Sequence, residues 1–141
     1  MKRQFIVLLI FLFLIGTGFL QSIHAAKIFS RDSKWNYYKG NDHPSGGDLE
    51  WTEAGFDDSD WLNGNSPFRY GDGSGGTLLN DMPNKYTTVF FRKFFTVANP
   101  KNISELDFLI DYDDGFIVWI NGEEVLNVGG VDAPDYDSLA T

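Results

Sequence analysis

The sequence contains no cysteine among its 141 residues. This absence excludes a disulfide framework, a thiol nucleophile and an acylated N-terminal cysteine as a lipid anchor. A stable fold must therefore come from burial of apolar surface. Residues 26–141 hold all four tryptophans, all six tyrosines and nine of the thirteen phenylalanines. That is enough for one domain with a substantial core, and we predict a single domain over 26–141.

The sequence also lacks an apolar run of the roughly 20 residues that a transmembrane helix needs. Its longest run, residues 5–20, follows Lys2 and Arg3 and leads to small residues at Ala25 and Ala26. A basic start, a short apolar run and a small-residue cleavage site are typical of a secretory signal peptide. We predict that residues 1–25 are cleaved and that the protein is secreted, with the periplasm or cell surface as other destinations. An uncleaved membrane anchor is the alternative.

Basic residues are scarce, because 11 Lys and Arg stand against 20 Asp and Glu, a formal net charge of −9. Cleavage after Ala25 would remove two bases and no acid, which leaves 9 against 20, or −11. Nucleic acids and anionic lipid headgroups are bound mainly through clustered Lys and Arg. Neither nucleic acid nor, after signal cleavage, a membrane is therefore a predicted partner. Uncharged sugars and divalent cations are compatible with this charge.

Histidine is nearly absent, and only His43 would remain after signal cleavage. It lies in a Pro-Gly loop without a nucleophile elbow nearby, so the sequence does not predict a Ser-His-Asp triad. Glycoside hydrolysis needs two carboxyl groups about 5 to 9.5 Å apart across a cleft, one of them with a raised pKa. Asp113 and Asp114 are adjacent in a solvated turn, which gives no reason for such a pKa. The chain is therefore predicted not to be an enzyme.

Long helical periodicity is missing as well, and short apolar-aromatic runs alternate with clusters of Gly, Asn, Asp, Ser and Pro. This pattern is typical of an all-β sandwich or barrel. The clearest element is a hairpin, because Asn121-Gly122 predicts a type I′ turn between strands at 116–120 and 123–126. Alternation over 106–112 predicts a third strand, adjacent and antiparallel to the first two.

Other parts of the chain give further predictions. Residues 27–30 and 35–38 are predicted strands, and 86–97 is a long strand with apolar side chains on both faces, hence central in its sheet. Residues 51–61 predict two tryptophans buried beneath a loop that Asx-turns or one helical turn organise. Residues 63–76 predict a long glycine-rich loop.

Four motifs in a fixed order resemble those of a known family. They are Trp51 with FDDSDW at 56–61, YGDG at 70–73, FRKFF at 91–95, and DDGF with NGEEV at 113–125. Together they resemble the galactose-binding-domain-like jelly-roll modules of large secreted bacterial proteins. These modules stand beside lamin-tail, spore-coat-H-like or glycoside-hydrolase domains. The chain is more distantly similar to the sugar-binding jelly roll of family 2 glycosidases.

The resemblance implies an all-β jelly-roll β-sandwich of about eight strands. It also implies a non-catalytic module that supports or targets a neighbour, often by binding carbohydrate and sometimes with a structural calcium. In such modules the Asn-Gly hairpin is followed by a loop and further strands, whereas this sequence stops at Thr141. We therefore expect a module that is incomplete at the C-terminus and lacks the last strands of the sandwich.

Two acidic clusters are candidate calcium sites. Calcium takes roughly six to eight oxygen ligands, which loops rich in Asp, Asn and Gly supply readily. Neither cluster has the fixed spacing and closing Glu of an EF-hand loop. The candidate ligands are Asp57, Asp58 and Asp60 in the first cluster, and Asp111, Asp113 and Asp114 in the second.

Loop aromatics beside acidic residues are candidates for sugar binding. A pyranose presents an apolar side to an aromatic ring and hydroxyl groups to planar polar side chains. Tyr70 beside Asp72, and Tyr136 between Asp135 and Asp137, combine the two requirements. We predict Tyr70, Asp72 and Tyr136 as carbohydrate-binding residues.

Three functions are compatible with these observations. The first is a secreted, non-catalytic module that binds carbohydrate or supports adjacent domains of a larger extracellular protein. The second is the N-terminal accessory part of a secreted hydrolase, similar to glycoside hydrolases, whose catalytic domain lies beyond residue 141. The third is a structural spacer without a ligand. The first is our prediction, with carbohydrate or adjacent domains of the same protein as partners and structural calcium as the one candidate cofactor.

Overall fold

The computed structural model describes residues 3–5, 27–71, 73–97, 99–130 and 135–140. In these ranges the regular elements are strands and two short 3-10 helices, Glu50–Thr52 and Pro100–Asn102. No helix in them is long and apolar enough to cross a bilayer. The all-β prediction is confirmed. The predicted signal peptide, residues 1–25, lies outside the described residues apart from its first strand.

In chain order the strands are β1 Arg3–Phe5, β2 Lys34–Lys39, β3 Leu62–Asn65, β4 Phe68–Arg69, β5 Thr77–Leu78, β6 Val89–Arg92, β7 Ile110–Tyr112, β8 Phe116–Ile120 and β9 Glu123–Val128. The chain divides into two compact units. One unit comprises Met1–Phe29 and Phe95–Asp113, and the other comprises Ser30–Phe94 and Asp114–Thr141.

In the first unit, β1 pairs antiparallel with β7. The Phe29 ring packs against two other rings of this unit, with centroids 6.2 Å from Phe95 and 6.3 Å from Phe108. The prediction of a strand at 27–30 is wrong, because this segment does not pair with any strand and contributes the Phe29 side chain instead. The strand predicted over 106–112 is shortened to β7.

The second unit contains a three-stranded antiparallel sheet in the order β3-β2-β6. Strand β2 is central, because Asn36 and Tyr37 pair with β3 on one side and β6 on the other. The prediction that residues 86–97 form a long central strand is therefore wrong. Within that segment only Val89–Arg92 is a strand, and it lies at the edge of the described sheet.

One face of this sheet carries the main aromatic core. The side chains of Tyr38 and Phe90 lie on this face, with ring centroids 6.4 Å apart. Trp51 and Trp61 pack beside them and are each only 7% exposed. The predicted burial of the two tryptophans under a structured loop is confirmed. Hairpin β8–β9 contributes Trp119, whose ring lies edge-on to Trp51 with the centroids 5.2 Å apart.

The opposite face carries a smaller aromatic group. Phe68 lies between Tyr37 and Phe91, with ring centroids at 5.1 and 4.6 Å. The cover comes from β4 and β5, which pair in parallel. Because strands β3 and β4 form inside residues 63–76, the predicted long loop there is wrong in part. Gly64 allows this packing, since a Cβ there would lie 2.9 Å from the Phe68 ring.

Strands β8 and β9 form the predicted Asn-Gly hairpin. Asn121 and Gly122 have φ values of 51° and 85°, the two positive values that a type I′ turn requires. The predicted three-stranded meander is wrong, since β7 pairs with β1 and the hairpin forms a separate two-stranded sheet. In the turn before β8, Asp114 lies in the left-handed region with φ 74°.

Candidate functional site

A cleft near the end of β2 contains one of the predicted sugar-binding residues, and we call it the Tyr136 cleft. It encloses about 300 Å³, the lower end of the range of roughly 300 to 1,000 Å³ for ligand pockets. Three segments form its walls: the residue after β2, the segment before β6, and a turn near the C-terminus. The lining residues are Gly40, Asn84, Lys85, Tyr86, Thr87, Tyr136 and Asp137.

The C-terminal wall is held by a compact turn. The Asp135 backbone N–H donates to Ser138 Oγ at 2.8 Å, and the Ser138 N–H donates to the Asp135 carbonyl at 3.1 Å. The Tyr136 N–H donates to Asp135 Oδ1 at 2.7 Å. Tyr136 also packs against the core of Trp51, Trp61 and Phe90. Its position is therefore fixed both by the local turn and by the core.

Gly40 allows the walls to approach each other. Its backbone N–H donates to the Thr88 carbonyl at 2.9 Å. A Cβ at this position would lie 2.6 Å from the Thr88 oxygen and 3.1 Å from the Tyr136 carbonyl oxygen. Any larger residue would push β6 or the C-terminal turn away, so glycine sets the width of the cleft here.

Asn84 lines the cleft from a turn whose backbone it helps to form. The Lys85 and Tyr86 N–H groups both donate to the Met82 carbonyl, at 3.0 and 3.3 Å. Asn84 has φ 62°, in the left-handed region that asparagine tolerates better than most residues. An asparagine here therefore satisfies the turn and also brings an amide to the lining of the cleft.

Asp81 links the strand β2 to the buried Tyr86. It accepts from Lys39 Nζ at 2.7 Å through Oδ2, and from the Tyr86 hydroxyl at 3.0 Å through Oδ1. Burial, with the Asp81 hydrogen bond second, raises the pKa of Tyr86 to about 12. The hydrogen bond from Lys39 lowers the pKa of Asp81. Tyr86 is therefore a neutral hydrogen-bond donor at physiological pH.

A second cleft, which we call the Asp60 cleft, encloses about 210 Å³. Its lining residues are Tyr37, Tyr38, Lys39, Asn41, Asp60 and Leu62. The Tyr38 hydroxyl donates to Asp42 Oδ1, and this bond is the main reason why the pKa of Tyr38 is raised. The cleft thus combines aromatic side chains with an amide, an ammonium group and a carboxylate.

The three predicted sugar-binding residues have different locations. Tyr136 lines the Tyr136 cleft. Tyr70 is 55% exposed and lines neither cleft. Asp72 lies outside the described residues. Tyr136 therefore lies in a recess, whereas Tyr70 lies on the open surface.

The first predicted calcium cluster has other partners. Asp58 accepts from Arg92 Nε at 2.9 Å, with the two side chains 12% and 8% exposed. Asp57 Oδ1 accepts the Ser59 N–H at 3.0 Å in an Asx-turn, and this bond lowers the pKa of Asp57. Asp60 lines the Asp60 cleft. The Asx-turn predicted for this loop is confirmed.

In the second predicted cluster, Asp111 lies in β7, and Asp113 and Asp114 follow it in the turn. Among the residues that the structure describes, no group of three His, Asp or Glu side chains is arranged to hold a metal ion. Calcium binding at the six carboxylates stays a prediction, and Asp58 already has a cationic partner.

Arg92 has a structural role that was not predicted from the sequence. Its Nη1 donates to the Trp51 carbonyl and, at 3.1 Å, to the Glu53 carbonyl. Its Nη2 donates to Glu53 at 3.1 Å and to the Phe56 carbonyl at 3.4 Å. The sequence contained a signal for this role, because Arg92 follows the apolar run of a predicted strand. A charged side chain that is buried there needs a hydrogen-bonding or charged partner.

The polar lining of the Tyr136 cleft was not predicted either. Thr87 lies within the strand predicted over 86–97, Asn84 and Lys85 were given no role, and no sequence pattern relates these residues to Tyr136 about fifty residues later. No known protein family, curated protein or solved structure matches this chain. The functional conclusion therefore depends on the geometry and chemistry of the clefts.

Proposed function

We propose that this chain is a secreted, non-catalytic β-sandwich module of jelly-roll type that binds neutral carbohydrate in the Tyr136 cleft. Support for adjacent domains of a larger extracellular protein is the other role of such a module. The observation that carries the proposal is the composition of the cleft, which brings a tyrosine together with amide, ammonium, hydroxyl and carboxylate groups.

These groups match the chemistry of a sugar. The Tyr136 ring offers an apolar surface for one side of a pyranose. Sugar hydroxyls both donate and accept hydrogen bonds, so a site needs both kinds of partner. Asn84 supplies donors and an acceptor, Lys85 supplies donors only, and Asp137 supplies acceptors only. The lining therefore offers both hydrogen-bond donors and acceptors to the sugar hydroxyl groups.

Charge favours a neutral ligand. Lys85 and Asp137 contribute one charge of each sign to the lining. The chain as a whole carries −9, which repels polyanions such as acidic polysaccharides and nucleic acids. A ligand recognised here gains little from net charge and must be recognised through shape and hydrogen bonds.

The same composition supports binding without hydrolysis. Asp137 is the one carboxylate among the residues that line the Tyr136 cleft. Glycoside hydrolysis uses a pair of carboxyl groups about 5 to 9.5 Å apart, with the sugar between them. Asp81 does not supply the second, because Lys39 and Tyr86 occupy its two oxygens.

Affinity electrophoresis in gels that contain cellulose-derived, xylan or galactan polymers tests the proposal. We expect at least one neutral polymer to retard the protein. Asn84→Gly, which keeps the positive φ but removes the amide, and Asp137→Ala should reduce the retardation. The control is Glu124→Gln, an exposed position on β9. Unchanged mobility of the native protein in every gel, with the hairpin and core folded by circular dichroism, would contradict carbohydrate binding.

A further inference from the structure

The Tyr136 cleft and the Asp60 cleft lie on either side of one strand end. Gly40 lines the first, and its two chain neighbours, Lys39 and Asn41, line the second. Consecutive Cα atoms are about 3.8 Å apart, so Lys39 and Asn41 are separated by no more than roughly 8 Å. The two clefts are therefore neighbours with a single residue of backbone between them.

The pairing of β2 explains why a cleft occurs on each side. On the β3 side the ladder ends where Tyr37 pairs with Leu62. On the β6 side it continues until Lys39 pairs with Val89. The last two residues of β2, Tyr38 and Lys39, thus extend beyond the end of its pairing with β3. The Asp60 cleft lies beside these two residues. The Tyr136 cleft lies on the other side, against the segment that leads into β6.

The two clefts share chemistry as well as position. Each has a tyrosine, an amide side chain, a lysine and an aspartate in its lining. They also share a polar link, because Lys39 of one and Tyr86 of the other both hydrogen-bond Asp81. One side chain from each lining is therefore held by the same carboxylate.

We propose that the two clefts are consecutive subsites for one neutral oligosaccharide, which crosses the end of β2 at Gly40. This inference rests on the proposed carbohydrate function and adds the length of the ligand to it. A single sugar occupies the Tyr136 cleft, and the next unit of the same chain contacts Asn41 and Asp60. The preferred ligand is thus an internal stretch of a polymer or an oligomer of two or more units.

Isothermal titration calorimetry with a length series tests the inference. The probes are glucose, galactose, xylose and mannose, and the β-1,4-linked oligomers of each with two to six units. For the sugar that binds, we expect a disaccharide or trisaccharide to bind at least about tenfold more tightly than the monosaccharide, because one or two added hydrogen bonds give this factor. Beyond the length that fills both clefts, affinity should stop rising.

Variants in each cleft show which subsite is responsible. Asn41→Ala and Asp60→Ala change exposed side chains of the Asp60 cleft. They should lower oligomer affinity to that of the monosaccharide and leave monosaccharide affinity unchanged. Asn84→Gly, in the Tyr136 cleft, should weaken both. The unfolding midpoint of each variant shows that it is folded.

The outcomes separate the two claims. Equal affinity for the monosaccharide and all of its oligomers would overturn the two-subsite inference and leave the proposed function in place. So would Asp60→Ala and Asn41→Ala variants that keep the full length dependence. Absence of heat with every probe, together with absence of retardation in the polymer gels, would overturn the proposed function itself.

Discussion

Arg92 Nε donates to Asp58 Oδ2 at 2.9 Å, and this pair joins the edge strand β6 to the loop between the two buried tryptophans. The guanidinium also donates hydrogen bonds to the backbone carbonyls of Trp51, Glu53 and Phe56. The planar guanidinium has five N–H donors, so it can bond several acceptors at once. One side chain thus satisfies the Trp51 and Phe56 carbonyls of the loop that covers the tryptophans, and it shares the Glu53 carbonyl with the Phe56 N–H.

Arg92→Lys should destabilise the second unit strongly. Lysine keeps the charge but has three donors on a single nitrogen and cannot reach the same set of carbonyls. A buried carbonyl group left without a donor costs about 1 to 3 kcal/mol in the free energy of unfolding, and the Trp51 carbonyl is such a group. Urea unfolding followed by tryptophan fluorescence measures it. Arg69→Lys is the matched control, because its Nε makes one exposed hydrogen bond to the Gly75 carbonyl. Equal stability of the two variants would refute the role assigned to Arg92.

Tyr86 should make stability fall at alkaline pH. Its pKa is about 12 in the fold and about 10 in the unfolded chain. Between these values the unfolded state binds fewer protons, so the free energy of unfolding decreases as pH rises. Two pKa units correspond to on the order of 2 to 3 kcal/mol. Urea unfolding at about pH 9 and about pH 11.5 measures the loss, and Tyr86→Phe should abolish this part of it. If the native protein and Tyr86→Phe lose the same free energy of unfolding between these pH values, a group other than Tyr86 is responsible.

Gly122→Ala should destabilise the β8–β9 hairpin. Gly122 has φ 85°, and a Cβ there would lie 2.7 Å from the Glu53 carboxyl carbon. The left-handed conformation costs an L-residue about 1 to 2 kcal/mol, and Glu53 would also have to move. The control is Asn121→Gly at the other turn position, which allows the same φ and should be near neutral. Thermal unfolding compares them, and an equal midpoint shift in both would argue against the type I′ turn.

Gly40→Ala should impair sugar binding by distorting the Tyr136 cleft. The added methyl group would meet the Thr88 and Tyr136 carbonyl oxygens, whereas at Gly55 nothing lies within 4 Å of a Cβ. Overpacking of this kind costs about 1 to 3 kcal/mol in stability. Gel retardation by the neutral polymer should fall in Gly40→Ala and stay unchanged in Gly55→Ala. Native retardation in a folded Gly40→Ala variant would show that this wall does not shape the site.

Tyr70→Ala distinguishes an open sugar platform from the recessed cleft. Tyr70 is 55% exposed, so its replacement should change stability by less than about 0.5 kcal/mol. If Tyr70 is a sugar platform, retardation should fall while the unfolding transition stays the same. Equal retardation of Tyr70→Ala and the native protein would remove Tyr70 from the site and leave the cleft as the binding position.

Much of the local structure could be predicted from the sequence. The Asn121-Gly122 hairpin was correct because a type I′ turn depends on two residues that tolerate positive φ. The all-β character followed from short apolar runs separated by turn formers. The buried pair Trp51 and Trp61 followed from their size and from the turn-forming residues between them. Each of these properties depends on residues close together in the chain.

The sheet order and the candidate site were decided only by the tertiary structure. Strand β6 looked central because both of its faces are apolar, yet the register of β2 with β3 and β6 places it at the edge. The same register brings Gly40 between two clefts, and packing of the C-terminal turn against the core adds Tyr136 to the lining that contains Asn84. Arg92 forms an ion pair with Asp58, which lies thirty-four residues earlier in the sequence. Pairings over such separations depend on how the whole chain packs, which composition and local periodicity do not specify.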